Sequence, residues 1–132
     1  MAIADAYGLP IAIRAFGAST HECKLVQETL DSKFVKTQPQ LLIGDKAYDS
    51  DKLDKILKKR KVNLIAPHKT NRKKEKTQDG RQLRRYCKRW KIERLFAWIQ
   101  NYRKCVTRYE VHVENYLGFI QLACIIILTK QF

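Results

Sequence analysis

Two acidic residues stand where phosphoryl chemistry could use them. Asp45 follows the short apolar run Leu41-Leu42-Ile43-Gly44, which reads as a buried strand ending near Asp45. Open α/β sheets gather ligands at the carboxyl ends of their strands. A carboxylate there, flanked by Gly44 and Lys46, is well placed to hold a metal. The plainer reading is a turn residue, because aspartate bonds its own backbone two residues on. Glu93 is the sole acid between Asp79 and Glu110, in a stretch crowded with arginine and lysine. Helical positions three, four and seven apart share a face. Tyr86, Arg89, Glu93 and Gln100 are therefore expected on one side, with Arg89 able to hold the Glu93 carboxylate. The plainer reading there is a surface ion pair worth under about 1 kcal/mol.

Two carboxylates converging from a strand end and a helix suit two-metal phosphoryl transfer. In that chemistry, ions about 4 Å apart activate the attacking oxygen and stabilise the leaving one. Mg²⁺ takes oxygen ligands, often with only one or two carboxylates. Two acids are few for two ions, so a third is expected. Asp49 and Asp51 are better placed at a helix N-terminus, where the macrodipole favours acids.

The elements that must position these residues follow from periodicity. Residues 1–16 read as a β-hairpin, with turn chemistry at Tyr7-Gly8-Leu9-Pro10. Ser19-Thr20 precede a helix with the stripe Leu25, Val26 and Leu30. A strand over 40–44 leads to a second helix from Ser50, with Leu53, Ile56 and Leu57 inward. Val62 to Ala66 is a further strand, closed by Pro67. The alternation of strands and helices is an α/β signature. Residues 67–80 are almost devoid of apolar side chains and read as a mobile basic loop. One helix is expected over 81–104, carrying Glu93, and a last one over 113–130. The run Tyr116 to Leu128 is too short to span a bilayer and reads as a buried helix.

Charge points to a polyanionic partner. The chain of 132 residues has a hydrophobic share of 45% and a net charge of +14. Residues 51–108 hold 21 Lys or Arg against 5 Asp or Glu. A basic block between near-neutral ends implies one binding face for DNA or RNA. An RNA-binding domain would want exposed aromatics on a sheet, whereas the tryptophans here fall on a helix. Cys23, Cys87, Cys105 and Cys124 lack any C-x-x-C spacing, and His21, His68 and His112 are scattered. That excludes a zinc spacing or a dense disulfide framework and implies reduced, mostly buried thiols. No signal peptide is visible at the start, so a cytoplasmic location is expected.

Gly44-Asp45-Lys46-Ala47-Tyr48-Asp49-Ser50 resembles the second-aspartate block of bacterial insertion-sequence DDE transposases. Tyr86-x2-Arg89-x3-Glu93 resembles their Tyr-x2-Arg-x3-Glu-x6-Lys signature, in the same order and with Asp45 and Glu93 48 residues apart. The run Arg89 to Trp98, Tyr102-Arg103-Lys104, Thr107-Arg108-Tyr109 and the hairpin motif Asp5-x-x-Gly8-Leu9-Pro10 match as well. The resemblance implies a ribonuclease H-like α/β fold with C-terminal helices, in the C-terminal part of a catalytic domain. It implies Mg²⁺- or Mn²⁺-dependent cleavage and strand transfer at transposon ends, with two ions in the complete enzyme. Asp45 would be the second catalytic aspartate and Glu93 the catalytic glutamate, both metal ligands. Tyr86 and Arg89 would position or contact DNA, as would Arg72, Lys73 and Lys74 of the basic loop. Gln100 stands at the signature lysine, so that role is vacant or falls to Arg103 or Lys104.

The first catalytic aspartate is expected on a strand before the hairpin. Asp5 belongs to the hairpin turn instead. The expectation is a single partial catalytic domain over 1–132, its fold incomplete and inactive alone. Its partners would be transposon-end and target DNA, an upstream transposase segment and further copies of itself, at the nucleoid. From another class, a non-catalytic DNA-binding or regulatory product of an insertion element would need only the basic block's phosphate contacts.

Overall fold

The computed structural model describes residues 1–17, 19–77 and 80–131. In chain order it contains β1 (Ala2–Ala4), β2 (Pro10–Ile13), α1 (Glu22–Asp31), β3 (Leu41–Ile43), α2 (Asp51–Lys59) and β4 (Asn63–Ile65). Then come α3 (Gly80–Leu83), α4 (Trp90–Gln100), α5 (Arg103–Val106) and α6 (Val113–Thr129). Two 3-10 segments, Lys46–Tyr48 and Arg84–Arg89, fall before α2 and between α3 and α4. These elements form two compact units. One comprises Met1–His21, Leu25–Val35 and Trp90–Phe132; the other comprises Glu22–Lys24 and Lys36–Arg89.

The first unit is built on the hairpin and the C-terminal helices. β1 and β2 pair antiparallel, with a register shift between Ile3 and Ala4. Asp5 makes the turn: its Oδ1 accepts from the amides of Tyr7 (2.8 Å) and Leu9 (2.9 Å). Gly8 sits at φ 84°, a left-handed conformation that glycine adopts without steric cost. Pro10 opens β2, a strand position that tolerates the missing amide. α6 buries Ile120, Ala123, Cys124 and Ile127, the i, i+3, i+4, i+7 stripe of a helix with one inward face. They pack with Ile13 of β2, Leu95 and Ile99 of α4, and Cys105 of α5. No helix among the described residues is long and apolar enough to cross a membrane.

The second unit is a β-α-β arrangement. β3 and β4 pair in parallel from Leu41–Asn63 to Ile43–Ile65, which requires a crossover such as α2 between them. Ser50 caps α2 by accepting from the Leu53 amide at 3.4 Å. Asp51 and Asp54 lie in its first turn and Lys58 and Lys59 in its last, as the macrodipole favours. Leu53 and Leu57 face inward, and Val62, Leu64, Ile65 and Ala66 complete the core.

Several expectations need correction. Among the described residues the strands form two two-stranded sheets, β1-β2 and β3-β4, not the single sheet that the ribonuclease H-like resemblance implies. The continuous helix expected over 81–104 is broken into α3, the 3-10 segment, α4 and α5. The like charges of Arg81, Arg85 and Arg89 recur every fourth position, where α-helical stacking would set them against each other. At the other break, Asn101 and Tyr102 close back onto Trp98 and Ile99 in tighter turns. Among the described residues no cysteine forms a disulfide; Cys105 and Cys124 are buried, while Cys87 is exposed.

Candidate active site

The block from Gly44 to Ser50 is a sequence of local devices. A side chain at Gly44 would lie 2.8 Å from the Tyr48 ring, so glycine lets that ring fold back over the strand end. Asp45 then caps the 3-10 turn, Oδ1 accepting from the Ala47 amide at 2.8 Å. The Ala47 carbonyl accepts from the Cys23 thiol at 3.0 Å. Burial, with Glu22 beside it, pushes the Tyr48 phenol well above its usual range. Ser50 starts α2.

The two readings of Asp45 thus fall on different oxygens. Oδ1 is the turn acceptor. Oδ2 lies 3.9 Å from Nη1 of Arg89, and the side chain is 40% exposed. That separation is too long for a good hydrogen bond, so Oδ2 retains donor capacity for a cation. The Arg89 guanidinium lies over the Tyr86 ring at 5.7 Å. Tyr86, Arg89 and Asp45 are therefore neighbours within the second unit. Tyr86 and Arg89 stand on 3-10 turns and Glu93 and Gln100 on α4, rather than all four on one continuous α-helix.

Glu93 belongs to the first unit, exposed in the first turn of α4. The hairpin turn fixes that helix. Lys91 donates to the Ala6 carbonyl and Arg94 to the Tyr7 carbonyl. The Arg94 guanidinium lies 4.8 Å from the Trp90 ring and 4.7 Å from the Trp98 ring. Two such cation–π contacts suit a guanidinium whose Nε is buried without a hydrogen-bond partner. A Cβ at Gly8 would come within 2.6 Å of Arg94 and 3.3 Å of the Lys91 carbonyl oxygen. Sequence reasoning passed over this latch. Its signal was present as Trp90, Arg94 and Trp98 at helical spacing.

The remaining basic positions are divided. Gln100 ends α4, exposed. Arg103 and Lys104 are exposed on α5; Lys104 lies 3.7 Å from Glu110 and near the rings of Tyr109 and Phe119. Lys73 and Lys74 are exposed in the loop after β4. Arg72 is not: its side chain is 11% exposed and bonds Asp49 (2.8 Å) and Asp51 (2.7 Å). Asp49 is 6% exposed and also meets His68 Nδ1 at 2.9 Å and the Lys69 amide at 2.8 Å. Burial pushes the Asp49 carboxyl up, but the Lys69 amide, His68 and Arg72 outweigh it and hold it below the usual range. Asp51 is the first residue of α2, as expected; Asp49 is a loop anchor rather than a helix-terminal acid. The loop expected to be mobile is in its described part cross-linked, because Asp49 gathers its polar groups. Gln78 and Asp79, at its end, lie outside the described residues. Among the described residues, no three His, Cys, Asp or Glu side chains group as a metal site.

Comparison with known proteins agrees with the motifs. Residues 1–128 match the family model described as "Transposase DDE domain". The chain is 25% identical over 133 aligned positions to "Putative transposase for insertion sequence element IS402" of Burkholderia cepacia. The match covers 95% of this chain but only 59% of that relative's length. No solved structure matches. With a strand-end aspartate in its block, a glutamate on α4 and a family match over nearly all residues, the chain belongs to the transposase DDE domain family.

Proposed function

We propose that the chain serves DNA transposition, contributing Asp45 and Glu93 to a carboxylate site that cleaves and joins DNA strands at transposon ends. The observation that carries this reading is Asp45: it follows β3 with one oxygen fixed by the Ala47 amide and the other beside Arg89. Family membership supports a ribonuclease H-like arrangement, in which such an aspartate and Glu93 converge.

The donor chemistry fits a hard divalent ion, since carboxylate oxygens suit Mg²⁺ and Mn²⁺. Asp45 Oδ2 and the Glu93 carboxylate would hold it. Such an ion supplies Lewis-acid polarisation of a phosphoryl oxygen. The chain's own groups do the positioning. The Ala47 amide orients Asp45. Arg89 offsets its charge and offers a donor to a DNA phosphate, while Tyr86 braces the guanidinium. The hairpin latch fixes the helix that bears Glu93. Arg103 or Lys104, on α5 just beyond Gln100, would take the place of the signature lysine.

A transposition assay in cells with the element that encodes this chain tests the reading. Asp45→Asn and Glu93→Gln are each expected to lower transposition about a thousandfold, the scale of several kcal/mol of transition-state stabilisation. DNA binding by the variants should persist. Wild-type transposition by either variant would contradict the assignment.

A further inference from the structure

The loop between β4 and α3 has an internal organisation that its composition conceals. Between residues 68 and 77 its polar groups close on one another. His68 sits between Asp49, at Nδ1, and the Thr77 amide, which donates to Nε2 at 3.1 Å. That hydrogen bond ties residue 68 to residue 77. Arg72 reaches inward to Asp49 and Asp51, and its Nε and Nη2 both donate to the Glu75 carbonyl (3.1 and 3.0 Å). The Arg72 guanidinium is thus engaged inside the second unit. The exposed cations on this frame are Lys73, Lys74 and Lys76, with Lys74 3.2 Å from Asp51.

We propose that Asp49, His68 and Arg72 form a hub that pre-shapes this loop into a DNA-backbone site, with Lys73, Lys74 and Lys76 as its phosphate-facing groups. Asp49 acts as a positioning residue. A loose lysine-rich segment would lose chain entropy on meeting DNA; a closed one has already lost it. The arrangement reverses the ordinary expectation for an acid on a basic face. Simple electrostatics says that removing a negative charge tightens nonspecific DNA binding. The hub says that removing this one weakens it.

The inference rests on the reading above for its choice of DNA, but its test does not score catalysis. Duplex DNA binding by the full chain would be titrated against salt for wild type, Asp49→Asn, Arg72→Gln and the charge control Glu114→Gln on α6. Limited trypsin digestion would follow cleavage within residues 69–76. Asp49→Asn and Arg72→Gln are expected to weaken binding about tenfold, the equivalent of one charge-assisted hydrogen bond. Both should speed loop cleavage. The salt slope of Asp49→Asn should stay at the wild-type value, because the lysines still meet phosphate. Lys73→Gln should instead lower the slope by about 0.9, one phosphate contact. If Asp49→Asn unfolds the chain, Thr77→Pro removes the amide that closes the loop without touching the buried carboxylate, and the same two effects are expected. Equal or tighter binding by folded hub variants, or unchanged loop cleavage, would overturn the proposal. So would a wild-type chain that ignores DNA, whatever Asp45 and Glu93 do.

Discussion

Replacing Gly8 with alanine tests how the hairpin turn holds the helix of Glu93. Two costs can be worked from the structure. The backbone at φ 84° disfavours any side chain, which costs about 1–2 kcal/mol. The added Cβ would also lie 2.6 Å from Arg94 and 3.3 Å from the Lys91 carbonyl oxygen. The arginine end can swing away, but then its bond to the Tyr7 carbonyl is lost, at about 1 kcal/mol for a partly exposed hydrogen bond. Together the change should destabilise the chain by about 2–3 kcal/mol, or roughly 10 °C in Tm for a domain of this size. The chain has 2 tryptophans, and both rings lie against Arg94. Their fluorescence therefore reports the latch directly, and circular dichroism reports the fold. In an Arg94→Met background, alanine at position 8 should cost about 1 kcal/mol less, the coupling expected of groups in contact. An unchanged Tm and unchanged fluorescence in Gly8→Ala, or strictly additive variants, would refute the latch.

Two further outcomes follow from the same geometry. Thiol reagents should modify exposed Cys87 first and Cys124 last, because burial with Cys105 nearby pushes the Cys124 thiol up to about 11; mass spectrometry of partly labelled protein checks the order. The Asp49 carboxyl is held low in the folded chain, so its contribution is present at neutral pH and is lost as pH falls through the acid range below about 4. Melting curves across that range should show Asp49→Asn flatter than wild type, and parallel curves would count against the anchored carboxylate.

How much of this was legible in the sequence depends on the range of each interaction. The apolar run Tyr116 to Leu128 announces α6, but not as the fully buried helix expected. Ile120, Ala123, Cys124 and Ile127 face inward while Leu122, Ile125 and Ile126 are exposed, a choice that spacing cannot make in a helix apolar on nearly all sides. β3 and β4 lie within the apolar runs that announce them. Asp45 could be singled out because a strand end, a glycine and a turn former meet there. The division of its two oxygens needed the position of Arg89, 44 residues on. The Asp49 hub joins residues 19 and 23 positions apart through a segment with no apolar period to read. Its trace in the sequence is one histidine and one arginine among lysines. The break of the long helix was hidden for another reason. Good helix formers fill residues 81–104, and only the repulsion of stacked arginines and the turn at Asn101 interrupt them.

Asp45 and Glu93 are proposed to serve one ion-holding site. Mn²⁺ affinity, measured for the wild type, Asp45→Asn, Glu93→Gln and the double variant, tests it most directly. A shared ion makes the two losses non-additive: either single change should remove most of the affinity, and the double variant should add little more. Wild-type Mn²⁺ affinity in either single variant, or losses that simply add, would contradict a shared site.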